Sequence, residues 1–421
     1  MVSLLRRRPG FRRLWAAGAV SLCGDWLSLV AVSVLALTRG GGPLAVALVF
    51  AAHTLPAAFL SPVAGALVDR FDRRKVLIAA DALASLATAG MAIAAAVGAL
   101  ALVPLLLLVR SAITSAVPPA ESAALRRLVA DDELVAANSI LAATWSTAYI
   151  VGMALGGLAA TLGPTLALAL DAASFAIAAA LHATIPPIPV EQPGGSILAV
   201  VRGTPRDTVV ALRVAFGDRA LLAAVLGKTP LALAGGAGWI ALNLIGAAAQ
   251  PFGDPALSFG VLQAIRGAGT GIGPALATWL VRRGTPEIYL QHTARAFTLA
   301  AVAALALARD PVTLGLAALI WGTGTGTNWV MCHVALQRHA GDVVIGRLAA
   351  FDELLTSVAM TTAAVLGALT AEHVGLAATP LTGVGLGVIA LAVVALRVAR
   401  APASRPPADC LPAPAGASST P

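Results

Sequence analysis

Apolar runs long enough to cross a bilayer recur from near the start of this chain to about residue 397, separated by short segments that hold its charges, Pro and Gly. Such runs, roughly 17–25 residues each, match the hydrocarbon thickness of a membrane. Backbone inside lipid has to satisfy its own hydrogen bonds, so a chain of this pattern folds as a set of helices. Of its 421 residues only 11% are charged and 58% are hydrophobic, against about 25% charged in a soluble domain. That density cannot cover a water-facing surface, which excludes a soluble enzyme.

The runs fall at about 12–38, 44–68, 75–97, 100–120, 138–161, 164–185, 219–246, 256–281, 287–308, 311–333, 348–371 and 374–397. The expected fold class is therefore an all-α membrane protein with twelve transmembrane helices. A polar segment, 186–218, separates a first half (1–185) from a second (219–400). The tail, 401–421, is rich in Pro, Ala and Ser and is expected to be disordered. The triplet Arg6-Arg7-Arg8 before the first run imitates a secretion signal, but the run is too long for a signal core, so it reads as a first span.

Twelve crossings with both termini on one side put 22 of the 28 Lys and Arg residues on that side and only Arg39 and Arg309 on the other. The positive-inside rule makes the termini side cytoplasmic, in a cell or inner membrane. The net charge of +8 is thus a topology signal and not a nucleic-acid footprint. Leu125, Arg127, Asp131 and Gly156 recur 211 positions on as Leu336, Arg338, Asp342 and Gly367. An equal offset near half the chain length predicts two six-helix halves of like topology, the architecture of alternating-access transporters.

Charges placed inside spans carry the functional expectations, because each has to be paired, wetted or near an end. Asp25 lies midway along the first span and is the candidate proton carrier, weighed against a static ion pair. Asp171 reads as a packing partner of Ser174 or Asn138. Lys228 and Arg266 are candidates for a positive cavity wall, and Asp81 and Arg295 lie close enough to span ends to snorkel. Trp26, Trp145, Trp239, Trp321, Trp329 and Asn328 complete the cavity candidates. No metal site is expected from the His and Cys spacing, and no cofactor; the Gly267–Gly273 and Gly322–Gly326 runs follow no strand, so they read as helix-packing surfaces and not phosphate loops. Without a Walker sequence, uphill work has to draw on an ion gradient.

The loop Gly65-Ala-Leu-Val-Asp69-Arg70-Phe-Asp72-Arg73-Arg74-Lys75 resembles the signature of the major facilitator superfamily, with Asp72 where that pattern has Gly. Gly152, Gly156 and Gly157 in the fifth span are similar to the antiporter signature, with Met153 in place of its Pro. Gly24-Asp25-Trp26-Leu27, Ala136-Ala137-Asn138-Ser139, Asp171-xx-Ser174-Phe175 and Gly346-Arg347 resemble the enterobactin-exporter-like and macrolide-efflux-like branch. This resemblance implies that Arg110 is the fourth-span basic residue of proton-coupled members and that Asp69, with Arg73, latches the cytoplasmic side. It also implies a monomeric exporter of an amphipathic small molecule (drug, antibiotic or siderophore) in exchange for protons. The alternatives are a lysophospholipid or uptake transporter of the same fold, or a non-transporting membrane sensor.

Overall fold

A computed structural model describes residues 2–189, 208–340 and 342–402. A short helix, Val2–Arg7, comes first, the other described elements are mostly long helices, and no strand occurs among the described residues. In the first half these are α1 (Pro9–Ala36), α2 (Gly42–Val68), α3 (Arg73–Val97), α4 (Leu102–Leu128), α5 (Leu134–Leu162) and α6 (Pro164–Ala183). In the second they are α7 (Arg219–Ala249), α8 (Pro255–Arg282), α9 (Glu287–Ala304), α10 (Pro311–His339), α11 (Asp342–His373) and α12 (Ala378–Arg400).

Nine of the described helical stretches, α1 to α7 with α11 and α12, are long and apolar enough to cross a membrane. The other three, α8 to α10, include the glycine-rich runs and several buried polar side chains, which lower their hydropathy. They occupy in the second half the places that α2 to α4 occupy in the first. The main helix pairings of one half have counterparts in the other: α1 on α5 and α6 matches α7 on α11 and α12, and α2 on α4 matches α8 on α10.

Local signals set the helix ends. Asp72, Asp218, Asp254 and Asp310 cap α3, α7, α8 and α10 by accepting hydrogen bonds from the backbone N–H groups two and three residues on, a strong N-cap arrangement. At Asp310 the hydroxyl and amide of Thr313 hold the carboxyl below the usual carboxylate range. Two helices are broken within the bundle. The α4 helix breaks at Ser115-Ala116, ahead of Pro118 and Pro119, and α7 at Gly227-Lys228, ahead of Pro230. A Pro removes an N–H and clashes with the preceding turn.

The packing is asymmetric along the bundle axis. At the end away from the termini one apolar core runs through both halves, from Leu29, Phe50 and Met91 to Trp239, Phe259 and Trp321. At the termini end there are two separate cores, one around Phe11, Leu77 and Leu125, the other around Leu221, Leu336 and Leu348. The halves are therefore fused at the far end and parted at the termini end. Part of the polar connecting segment, residues 208–216, is helical and places Ala211 and Ala215 in that last core. Residues 190–207 and 403–421, where the rest of that segment and most of the tail expected to be disordered fall, lie outside the described residues.

Small residues make the fused end possible. A Cβ on Gly157 of α5 would sit 2.8 Å from the Ala256 carbonyl oxygen and 3.0 Å from Gly260 Cα of α8. Gly152 and Gly156, by contrast, lie against α1, where a Cβ would come within 2.5 Å of the Cys23 carbonyl oxygen and 2.7 Å of that of Leu27. The glycine signature thus divides between packing inside the first half and contact between halves. Gly157→Leu is expected to wedge the fused end apart, at a cost of about 1–3 kcal/mol typical of overpacking. Spin labels at the far ends of α5 and α8 should then report a longer mean distance, and an unchanged distance would refute this role.

Candidate functional site

The deepest polar cluster is built by α1, α2, α4 and α6 around the buried guanidinium of Arg110. Its Nη2 lies 2.5 Å from Asp25 Oδ1, and its Nη1 donates to Asp171 Oδ2 and to Ser28 Oγ, both at 2.9 Å. His53 of α2 stands 3.4 Å from Nη2 through Nδ1 and 3.9 Å from Asp25 Oδ2 through Nε2. The Phe175 ring closes the back, its centroid 5.7 Å from the guanidinium carbon. Gly24 lets α6 come this close, since a Cβ there would be 2.5 Å from Asp171 Oδ1 and 2.8 Å from Ser174 Cβ.

With both acids ionised and His53 neutral, two carboxylates share one cation, leaving one negative charge in excess. Burying an uncompensated charge is expensive, and taking up one proton removes it. The two acids differ in access: the Asp171 side chain is fully buried, while that of Asp25 is 24% exposed. Asp25 is therefore the one member of this ion-pair cluster that solvent reaches, while Arg110 and Asp171 are shielded.

Trp26, next to Asp25, starts an aromatic group toward the termini end. Its ring centroid is 5.5 Å from His53, 4.7 Å from Tyr149 and 5.8 Å from Trp145, which is itself exposed. From Val135 to Thr147 much of α5 is exposed, whereas Tyr149 and Met153 are buried. Tyr149 sits where the halves meet. Its hydroxyl donates to Gln263 Oε1 at 3.0 Å and is hydrogen-bonded by Arg266, and Gln263 donates to Asn243 Oδ1 at 2.6 Å.

Several candidates take other places. Lys228 is buried 2.5 Å from Asp352 Oδ2, with Trp329 under its ammonium at 4.9 Å, and Arg266 lies over Trp321 at 4.9 Å. The expected positive cavity wall is therefore not formed, because Lys228 is paired with Asp352 and Arg266 is covered by Trp321 and by Tyr149 of the first half. Trp239 and Trp321 are core side chains in this conformation. Asn328 is buried, accepting from Arg295 Nε at 3.0 Å and donating to the Gly227 carbonyl at 3.2 Å, so neither lines a cavity and Arg295 does not snorkel. Asp81 does not snorkel either. It is buried and paired with His182 at 2.7 Å, because a carboxylate too short to reach water needs a partner.

Asp171 is a ligand of the central Arg110 and not only a partner of Ser174, while Asn138 is exposed and donates to its own helix at the Leu134 carbonyl. In the loop, Gly65 meets nothing within 4 Å, and Asp69 and Arg70 are exposed. Among the described residues the Asp69 carboxylate makes no hydrogen bond or ion pair, and its backbone N–H donates to the Gly65 carbonyl at 3.0 Å. Arg73 bonds the Pro189 carbonyl at 3.3 Å and not Asp69. Asp69 and Arg73, the latch pair that the resemblance implies, are thus not joined in this structure.

A family model described as transmembrane secretion effector matches residues 4–415. The chain belongs to this family of the major facilitator superfamily. The multidrug efflux pump Tap of Mycobacterium tuberculosis (strain CDC 1551 / Oshkosh) is 35% identical over 179 residues, 41% of this chain and 42% of that protein. Macrolide efflux protein A of Streptococcus pyogenes is 30% identical over 150 residues, 35% of this chain and 37% of that protein. The chain thus spans about two-fifths of the length of these curated relatives. Among solved structures, a bacterial homologue of the human lysosomal transporter Spinster in an inward-facing, occupied conformation superposes with a TM-score of 0.71 at 12% identity, covering 93% of this chain and 96% of that one. The nucleoside transporter NupG gives 0.66 at 15%, covering 93% and 98%. These structural likenesses show the fold, a bundle of helices in two halves.

Sequence reasoning missed His53, Tyr149, Gln263, Asn243 and Asp352. Each is an isolated polar residue in an apolar run, and the partner that marks it lies on another helix, 57 residues away for His53 and Arg110 and 124 for Asp352 and Lys228.

Proposed function

We propose that this protein is a twelve-span secondary transporter that exports an amphipathic organic molecule, of the drug or macrolide class, from the cytoplasm in exchange for protons. One observation carries the coupling: a single guanidinium held between two carboxylates, one of them partly exposed and the other fully buried. With the termini cytoplasmic, as the distribution of Lys and Arg argues, the parted end faces inward and the conformation is ready to load cargo. The exposed Trp145, with Trp26 beyond it, supplies an apolar surface beside the Asp25 carboxylate. The efflux functions named for the relatives support export of this cargo class.

Alternating access follows from the packing. The Tyr149–Gln263–Arg266 bonds and the glycine contacts at the fused end hold the inward state. Opening outward has to break them while the two termini-end cores come together. Substrate or proton binding needs to shift that balance by only a few kcal/mol.

Asp25→Asn removes the proton-binding charge but keeps the size of the side chain. In reconstituted vesicles this variant is expected to lose pH-gradient-driven accumulation of erythromycin by about 100-fold, the scale of a lost proton-transfer group. It should still exchange labelled for unlabelled erythromycin at equal pH. Undiminished gradient-driven transport would overturn the assignment.

A further inference from the structure

A second acid–base pair lies inside the first half, closer to the termini end and apart from the Arg110 cluster. Asp81 of α3 and His182 in the last turn of α6 are both buried, with His182 Nδ1 2.7 Å from Asp81 Oδ2. The carboxylate favours the tautomer with its proton on Nδ1, which leaves Nε2 as a proton acceptor. Asp81 Oδ1 and His182 Nε2 are buried without a hydrogen-bond partner in the chain. The pair thus keeps two open acceptor positions, Oδ1 and Nε2, beside its one internal bond.

The surroundings continue the pattern. Glu121 of α4 extends toward Gly18 of α1, where a Cβ would be 2.6 Å from its Oε1. Two cations flank the site: Arg13 of α1 donates to the Thr184 carbonyl at 2.6 Å, and Arg74 of α3 bonds that of Ala183, both just past His182. Two turns along α3 from Asp81, Thr88 is fully buried and its hydroxyl also lacks a partner. On α6, His182, Ala178, Ser174 and Asp171 follow helical spacing along one buried face, and Ser174 Oγ donates to Asp171 Oδ1 at 3.2 Å. Eleven residues of helix separate His182 from Asp171, about 16 Å. That is too far for direct transfer, so a proton crosses it only through intervening water.

We propose that Asp81 and His182 form a proton-exchange site through which protons pass between Asp171 and the termini end inside the first half, separately from the path of the cargo. The proton arriving at Nε2 makes an imidazolium paired with the Asp81 carboxylate, and its departure restores neutral His182 with Nδ1–H still donating. This rests on the proton-coupled reading above.

Two measurements test it. In nanodiscs holding the full chain labelled with 15N-histidine, His182, assigned by its loss in His182→Gln, is expected to change protonation between about pH 5 and 9, and Asp171→Asn should shift that transition. A His182 signal fixed in one neutral tautomer across this range would overturn the proposal. In vesicles, His182→Gln and Asp81→Asn are each expected to reduce pH-gradient-driven erythromycin accumulation at least about tenfold while equal-pH exchange persists. Loss of both modes in both variants would mean a structural pair and overturn the proposal. Gradient dependence in wild type that survives unchanged in His182→Gln overturns this site alone, whereas wild-type transport indifferent to the gradient overturns the coupling reading itself.

Discussion

Arg110→Met is expected to lower stability by about 3–5 kcal/mol, the scale found when one partner of a buried ion pair is removed, and to abolish gradient-driven transport. The reason lies in what remains. Asp171 is fully buried and keeps only two hydroxyls, those of Ser174 and Ser28, while Asp25 loses its 2.5 Å partner. Thermal melting of the purified protein in detergent reads the first effect and vesicle accumulation the second. Adding Asp171→Asn removes the stranded charge, so the double variant should recover most of the lost melting temperature but none of the coupled transport. A single variant that melts with wild type would show that Arg110 does not hold the cluster together.

Lys228→Met is the counterpart in the second half, with a similar expected loss. Asp352 would be left buried with Oδ1 already unpartnered and Oδ2 newly so. Here the charge lies among Trp329, Cys332 and the α7 break, away from Asp25 and Arg110. Lys228→Met with Asp352→Asn is therefore expected to restore the melting temperature and also to retain pH-gradient-driven transport, because a neutral pair of similar volume satisfies the site. The contrast between the two double variants separates a coupling cluster from a structural one. If the second double variant transports no better than Lys228→Met alone, the Lys228–Asp352 pair belongs to the transport cycle.

Much of the architecture is legible in the sequence because lipid leaves a chain few options. Apolar length and bounding charge mark the segments, and the capping Asp residues at 72, 218, 254 and 310 mark helix starts. The same logic weakens for α8 to α10, where glycine and polar residues dilute hydropathy for reasons of packing. Asp25 and Arg110 stand out at the sequence level as charges too deep to reach water, and the structure brings them together. Lys228 and Arg266 stand out in the same way, yet their depth says nothing of what neutralises them. One meets Asp352, and the other meets Tyr149, Gln263 and the face of Trp321.

What the sequence determined by itself is the solvent, the helical class, the two-fold repetition and the short roster of charges that have to be functional or paired, since each follows from local composition and the cost of polar groups in hydrocarbon. Only the tertiary structure decided the pairings: Arg110 between two acids, Asp81 with His182, and Gly157 against α8 while Gly156 lies against α1. It also decided which end of the bundle is parted. These depend on contacts between helices far apart in the chain, and a deep charge is indifferent to whether its partner is a coupling acid or a structural one until the helices carrying both are packed.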